Sequence, residues 1–200
     1  MEKDGKKLIT SQYIPTASEL TEEDLKSLIS LLDEKNDEIR YQAFLALQSR
    51  SQMKADVYPF WETLAIKLNS DNSYQRSIGI MLIAENMKWD EEDRFAGIAE
   101  SYLSHCRDEK FITSRQTIQS IQKWIGMKPQ YADPVKRTLL GIDINSLKDT
   151  QRKLILLDII GVLAEIQKTK HNDDITDYLF KAMTGGILDK KSIKQVEKLL

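Results

Sequence analysis

The chain has 200 residues, 41% hydrophobic and 30% charged, enough for a domain with a sizeable core and too apolar for a disordered segment. Gly and Pro together make 12 of 200 residues, or 6%, where average usage gives roughly 12%, which excludes collagen-like and many-stranded architectures. Cys106 is the single cysteine, so an intrachain disulfide is excluded, and the formal net charge of −2 divides into 12 Lys/Arg against 19 Asp/Glu in residues 1–100 and 17 against 12 in residues 101–200.

Residues 1–18 carry charges at Glu2, Lys3, Asp4, Lys6 and Lys7 around the short pair Leu8–Ile9. The segment is expected to be irregular, with no apolar region of secretory type, and a single helical domain is expected over 19–200. Thr21 with Asp24 three residues on reads as a capping box. Leu25, Leu28, Ile29 and Leu32 follow on one helical face. A second helix carries Ile39, Ala43, Phe44 and Leu47, and a third, entered through Pro59 in its first turn, carries Tyr58, Trp61, Leu64, Ala65 and Leu68. The fourth carries Ile78, Met81, Leu82 and Met87. Asp90 is expected to cap a fifth with Phe95, Ile98, Ala99, Tyr102 and Leu103.

A sixth helix carries Ile112, Ile118, Ile121, Trp124 and Ile125 and stops at Gly126. Asp133 and Pro134 read as cap and first position of a seventh, with Val135, Leu139 and Leu140. The eighth, Leu154–Ile166, is apolar on most sides but contains Asp158 and Glu165, so it is expected at the centre of the packing rather than across a membrane. Ile175–Met183 stops at Gly185–Gly186, and Asp189 is expected to cap a last helix with Ile193, Val196 and Leu199. That helix, with Leu200, either caps the stack or pairs weakly with another chain, leaving a monomer or weak dimer. Gly79, Gly97 and Gly161 interrupt helical stripes, where close approach of a neighbouring helix would account for them. The cysteine usage and the absence of a span suggest a cytoplasmic protein.

The even-numbered helices begin alike: a polar loop, an Arg in the first turn, then an apolar stripe. Arg40, Arg76, Arg115 and Arg152 are spaced 36, 39 and 37 residues apart. Each unit is thus a helix pair that stacks on the next. Over about residues 19–168 the chain resembles the HEAT-like family of alpha-solenoids, most closely at Asp33–Ala43. The resemblance implies an all-α, right-handed superhelix of about four helical pairs plus a terminal pair. It also implies an acidic residue six positions before the Arg in a ladder between repeats. Glu34 and Glu109 fit; Ser70 and Ser146 do not.

The four Arg either align the stack or meet a partner's phosphates or carboxylates. Gln42, Gln48, Gln75, Gln116, Gln119 and Gln122 mark the polar faces of the second helices, which line the concave surface in the resembling family. The partner-binding set read from the sequence is Arg40, Gln42, Arg76, Arg115, Gln119, Gln122 and Arg152, with a protein or peptide as partner. Catalytic and metal signals are weak, and no catalytic, metal or cofactor residue is assigned: His105 and Cys106 are adjacent and diverge on a helix, and His171–Asp174 lacks EF-hand spacing. Asn172 or Asp173 is expected to cap the next helix. Trp61 and Trp124 read as packing, with Trp89 half exposed at a turn. The second reading is a nucleic-acid enzyme resembling HEAT-like glycosylases for alkylated bases, supported by the basic second half and the three Trp.

Overall fold

The structure is a computed structural model that describes residues 17–198. Most of the N-terminal segment, and Leu199 and Leu200, lie outside the described residues. Among the described residues the protein is all-α, with no strand, and no helix is long and apolar enough to cross a membrane. Internal contacts divide the chain after Ala99 into two compact units.

In the first unit, α1 (Glu22–Leu31) starts at Thr21, whose hydroxyl accepts the Asp24 N–H while the Asp24 carboxylate accepts the Thr21 N–H. α2 (Asp37–Met53) starts at Asn36 and α4 (Ser73–Asn86) at Asn72, each with a side-chain oxygen on the first-turn N–H groups. Between them, the 3-10 segment Ala55–Phe60 runs into the short α3 (Trp61–Ile66) and out through Lys67–Asn69. Pro59 therefore sits inside the 3-10 segment, not in the first turn of α3. The fold needs a tight turn there, and 3-10 geometry accommodates the missing N–H.

α2 packs against both α1 and α4, and α3 against α4. Their shared core contains Leu25, Leu28, Leu32, Leu47, Trp61, Leu64, Ile80 and Leu82, each no more than 1% exposed. At Gly79 an added Cβ would stand 2.8 Å from the Leu64 carbonyl, so α3 and α4 cross in contact, as expected. Gly97 corrects that reading at a second position: nothing lies within 4 Å of its added Cβ. The reason is local, because Gly97 ends the 3-10 turn Arg94–Gly97 rather than sitting within a helix. Asp90 does serve this turn. Its carboxylate, 1% exposed, takes the N–H groups of Arg94 and Phe95 and the Tyr58 hydroxyl.

In the second unit, α5 (Ala99–Ser104) leads to α6 (Phe111–Trp124), α7 (Ala132–Leu140) and α8 (Asp149–Thr169). α9 (Asp173–Thr184) and α10 (Lys190–Glu197) complete it. α8 packs against α6, α7 and α9, so it is central to its unit. Leu154 is nonetheless 38% exposed, and Ile112, read as part of a buried stripe, is 61% exposed. Asp133 and Pro134 lie inside α7, because the 3-10 turn Pro129–Tyr131 supplies the entry instead. Asn172 and Asp189 cap α9 and α10 through Ile175 N–H and Ser192 N–H.

Candidate functional site

The repeated arginines do two different jobs. Arg40 Nη1 donates to the Glu34 carbonyl at 2.8 Å, and its other nitrogen pairs with Asp37. Arg76 Nη1 donates to the carbonyls of Ser70 and Asp71, at 2.9 and 3.0 Å. Arg152 Nε and Nη2 donate to the carbonyls of Leu147 and Asn145, and Nη1 pairs with Asp149. Each guanidinium thus turns back to hold the loop that precedes its own helix. A charged fork suits this task, because carbonyls at a helix-to-helix turn have no partner in the regular ladder.

Arg115 differs. Its Nε and Nη2 grip both oxygens of Asp158 on α8, at 2.6 and 3.0 Å. Gln119 adds a bond from its amide nitrogen to the same carboxylate at 2.9 Å. The Asp158 carboxylate keeps the Arg115 guanidinium protonated more firmly than usual. Glu109 is six residues before Arg115, yet its carboxylate pairs with Lys110. At Arg40, Arg76 and Arg152 bonds to loop carbonyls, which have no side-chain signature in the sequence, stand where the family resemblance implies an acid six residues before, and Arg115 takes Asp158 instead.

Three of the amides, Gln48, Gln52 and Gln119, join second helix to second helix. Gln48 and Gln52 on α2 both donate to the Glu85 carboxylate on α4, at 3.2 and 3.3 Å. Gln75 donates to the Leu32 carbonyl and accepts from Lys67, which also bonds Asp33. Gln122 lies against Gly161: an added Cβ there would stand 2.9 Å from its amide atoms. Gln42 is half-buried on α2, and Gln119 and Gln122 are exposed. Gln116 is half-buried, with its carbonyl oxygen unbonded.

Two exposed aromatics stand on the same pair of helices as Gln48 and Gln52. Tyr41 is 57% exposed at the start of α2, and Tyr74 is 67% exposed at the start of α4. The Arg40 guanidinium stacks over the Tyr74 ring, 5.7 Å from its centre, and so ties these two helix starts together. The positions 41, 45, 48, 52 on α2 and 74, 78, 81, 85 on α4 repeat one helical spacing, so each set lies along one face. Sequence reasoning singled out the amides and passed over both tyrosines. Tyr41 lies off the apolar stripe Ile39, Ala43, Phe44 and Leu47, whereas Tyr74 lies one turn before buried Ile78, so the sequence carries no signal for its exposure.

The second unit also holds a cleft of about 610 Å³ between the residues 105–111 and 141–151. Its polar lining mixes signs, with Arg107 and Lys148 against Asp108, Glu109 and Asp143. Cys106 faces it, but burial pushes that thiol up to about 12, so it is not a nucleophile at neutral pH. His105 Nδ1 is 3.1 Å from Asp108. Among the described residues no group of three or more His, Cys, Asp or Glu is placed to hold a metal ion. Trp61 and Trp124 are core, and Trp89 is half-buried with its indole N–H on the Ser51 carbonyl. No family model, curated protein or solved structure matches this chain.

Proposed function

We propose that this chain is a non-enzymatic protein-binding scaffold or adaptor of HEAT-like solenoid type, which receives a protein or peptide on its second-helix faces. The observation that carries the reading is the surface of α2 and α4. There Tyr41 and Tyr74 stand exposed on helices held in register by Arg40 over Tyr74 and by Gln48 and Gln52 on Glu85. Tyrosines held on rigid helices contribute contact area with little loss of side-chain freedom on binding. In the second unit the matching surface is Arg115, Gln119 and Gln122 beside Asp158. The arginines Arg40, Arg76 and Arg152 support the reading as organisers of these helix starts.

The test is affinity capture from the source cells with the whole chain as bait, comparing wild type with a Tyr41→Glu/Tyr74→Glu variant. Specific partners captured by wild type are expected to be lost, with the melting temperature kept within a few degrees. Arg76→Ala supplies the contrast. It removes two bonds to loop carbonyls and is expected to cost about 1–3 kcal/mol of stability. A Tyr variant that captures the same partners as wild type would refute the reading.

The glycosylase reading loses much of its support from the aromatics, since Trp61 and Trp124 are packed in the core. The cleft beside Cys106 contains carboxylates and cations in mixed array, and no observation favours a lesion-binding role for it.

A further inference from the structure

The last helix breaks two local rules. α10 spans eight residues, Lys190–Glu197, and no acidic residue lies in its first turn. Lys190 and Lys191 occupy that first turn instead, where the helix dipole disfavours cations. Lys194 and Lys198 follow at intervals of four, so like charges stand one above another from Lys190 to Lys198. At about 100° per residue, the four lysines fall within one arc of roughly 100°. Ser192 and Val196, the buried residues of the helix, lie on the opposite side. Glu197 stands at the edge of the arc.

All four lysines are exposed, and among the described residues none of them meets a carboxylate within ion-pair distance. Several other cations of this unit are matched, although among the described residues Arg137, Lys148, Lys170 and Lys181 are not. Lys136 pairs with Asp133 and Asp174, Lys153 with Asp189, and Lys168 with Glu165. The helix is instead held by its cap. Asp189 accepts the Ser192 N–H at 2.8 Å and the Lys153 ammonium at 2.5 Å, which holds its carboxyl well below the usual carboxylate range. A concentration of unmatched charge carried against the helix dipole and its own repulsion adds nothing to the folding of this helix, which leaves it free to serve a partner.

We propose that the lysine stripe of α10 is a docking surface for an acidic protein segment. Eight residues of helix place the lysines along about 12 Å. An extended peptide covers that length with roughly four residues at 3.3 Å each, so a short run of Asp or Glu meets the whole stripe. The occupant follows from what the helix exposes. α10 turns its apolar side into the protein, and none of the large exposed hydrophobic residues belongs to it, so it lacks the apolar face that seats a helix in a lipid surface. The stripe is one helix face about 12 Å long, a short match for a phosphate backbone that is bound through many spaced contacts. The surface rests on the protein-binding reading only for the class of its partner, since it uses none of the second-helix residues.

The experiment measures binding of fluorescein-labelled hexaglutamate to the whole chain at low and moderate salt. Vesicles containing phosphatidylserine and a 20-base-pair DNA duplex run in parallel. The peptide is expected to bind, to weaken steadily as salt rises, and to bind at least about tenfold more weakly to Lys190→Glu/Lys194→Glu. The Lys190→Gln/Lys194→Gln variant, which relieves repulsion and keeps the helix intact, is expected to fall between them. Circular dichroism checks that both variants keep their helix content. Absence of peptide binding, equal binding by the charge-reversed chain, or tighter binding of vesicles or DNA than of peptide would each overturn the proposal. Partner capture that survives in Lys190→Glu/Lys194→Glu but not in Tyr41→Glu/Tyr74→Glu separates failure here from failure of the scaffold reading.

Discussion

A single buried side chain sets the local structure at several points of this protein. Asp90 is one. Its carboxylate gathers three donors, from Tyr58, Arg94 and Phe95, and so builds a turn that an apolar residue could not hold. Arg50 is another: 3% exposed, it grips Asp56 and the Leu20 carbonyl and ties the residues just before α1 to the end of α2. Cys106 illustrates the opposite case, a reactive group made inert. Its thiol, 1% exposed, is held neutral by burial, up to about 12. An ordinary thiol ionises near about 8.5. The folded state therefore binds one more proton than the unfolded chain between those values. The stabilisation is fully present below about pH 8.5 and is lost as pH rises toward about 12. The expected outcome is direct. At pH 8 the folded chain reacts with a disulfide reagent at least about a thousandfold more slowly than the chain in denaturant. Comparable rates in both states would show that the thiol is accessible and ionised.

At the scale of helices, packing distance decides what the sequence can afford. Gly79 and Gly161 both read as sites of close approach, and both are, but the neighbours differ. An added Cβ at Gly79 meets backbone, the Leu64 carbonyl at 2.8 Å, and one at Gly161 meets the amide of exposed Gln122 at 2.9 Å. Backbone cannot move without shifting α3, whereas an amide swings away. Gly79→Ala is expected to destabilise by about 1–3 kcal/mol through overpacking. Gly161→Ala is expected to be neutral or to stabilise by up to about 1 kcal/mol through helix propensity. Urea unfolding of the two variants checks the pair, and equal effects would show the two crossings to be alike. The same contrast explains what was legible beforehand. Thr21, Asn172 and Asp189 cap as read, because a cap and its N–H groups are neighbours in sequence. The entries to α3 and α7 were misplaced because 3-10 turns at Pro59 and Pro129 answer to the surrounding fold. The fourfold spacing of Arg is visible in the sequence, yet the carbonyls that three of them hold are not. The Tyr41 and Tyr74 surface was passed over because periodicity identifies what is buried and is silent about what is left outside.

Charge belongs to the whole molecule. A net charge of −2 is nearly neutral, but residues 1–100 carry −7 and residues 101–200 carry +5. These halves coincide almost residue for residue with the two compact units, which meet after Ala99. The division is therefore a property of folded bodies and not only of the linear chain. In α10 the excess is concentrated further, in four exposed lysines. A surface with evenly mixed charge and a net of −2 would be rejected by a cation exchanger at low salt. A surface divided as this one is should be retained on both cation and anion exchangers, since at about 0.01 M salt fields persist over about 30 Å. Two variants of equal net charge decide whether placement or total governs. Lys190→Glu/Lys194→Glu lowers the second half from +5 to +1 and the chain from −2 to −6. Lys35→Glu/Lys54→Glu gives the same −6 while leaving the second half at +5. The first is expected to elute from the cation exchanger at much lower salt, and the second to stay close to wild type. Equal shifts in the two variants would mean that the chain presents only its net charge, and that its basic half offers no separate surface to an acidic partner.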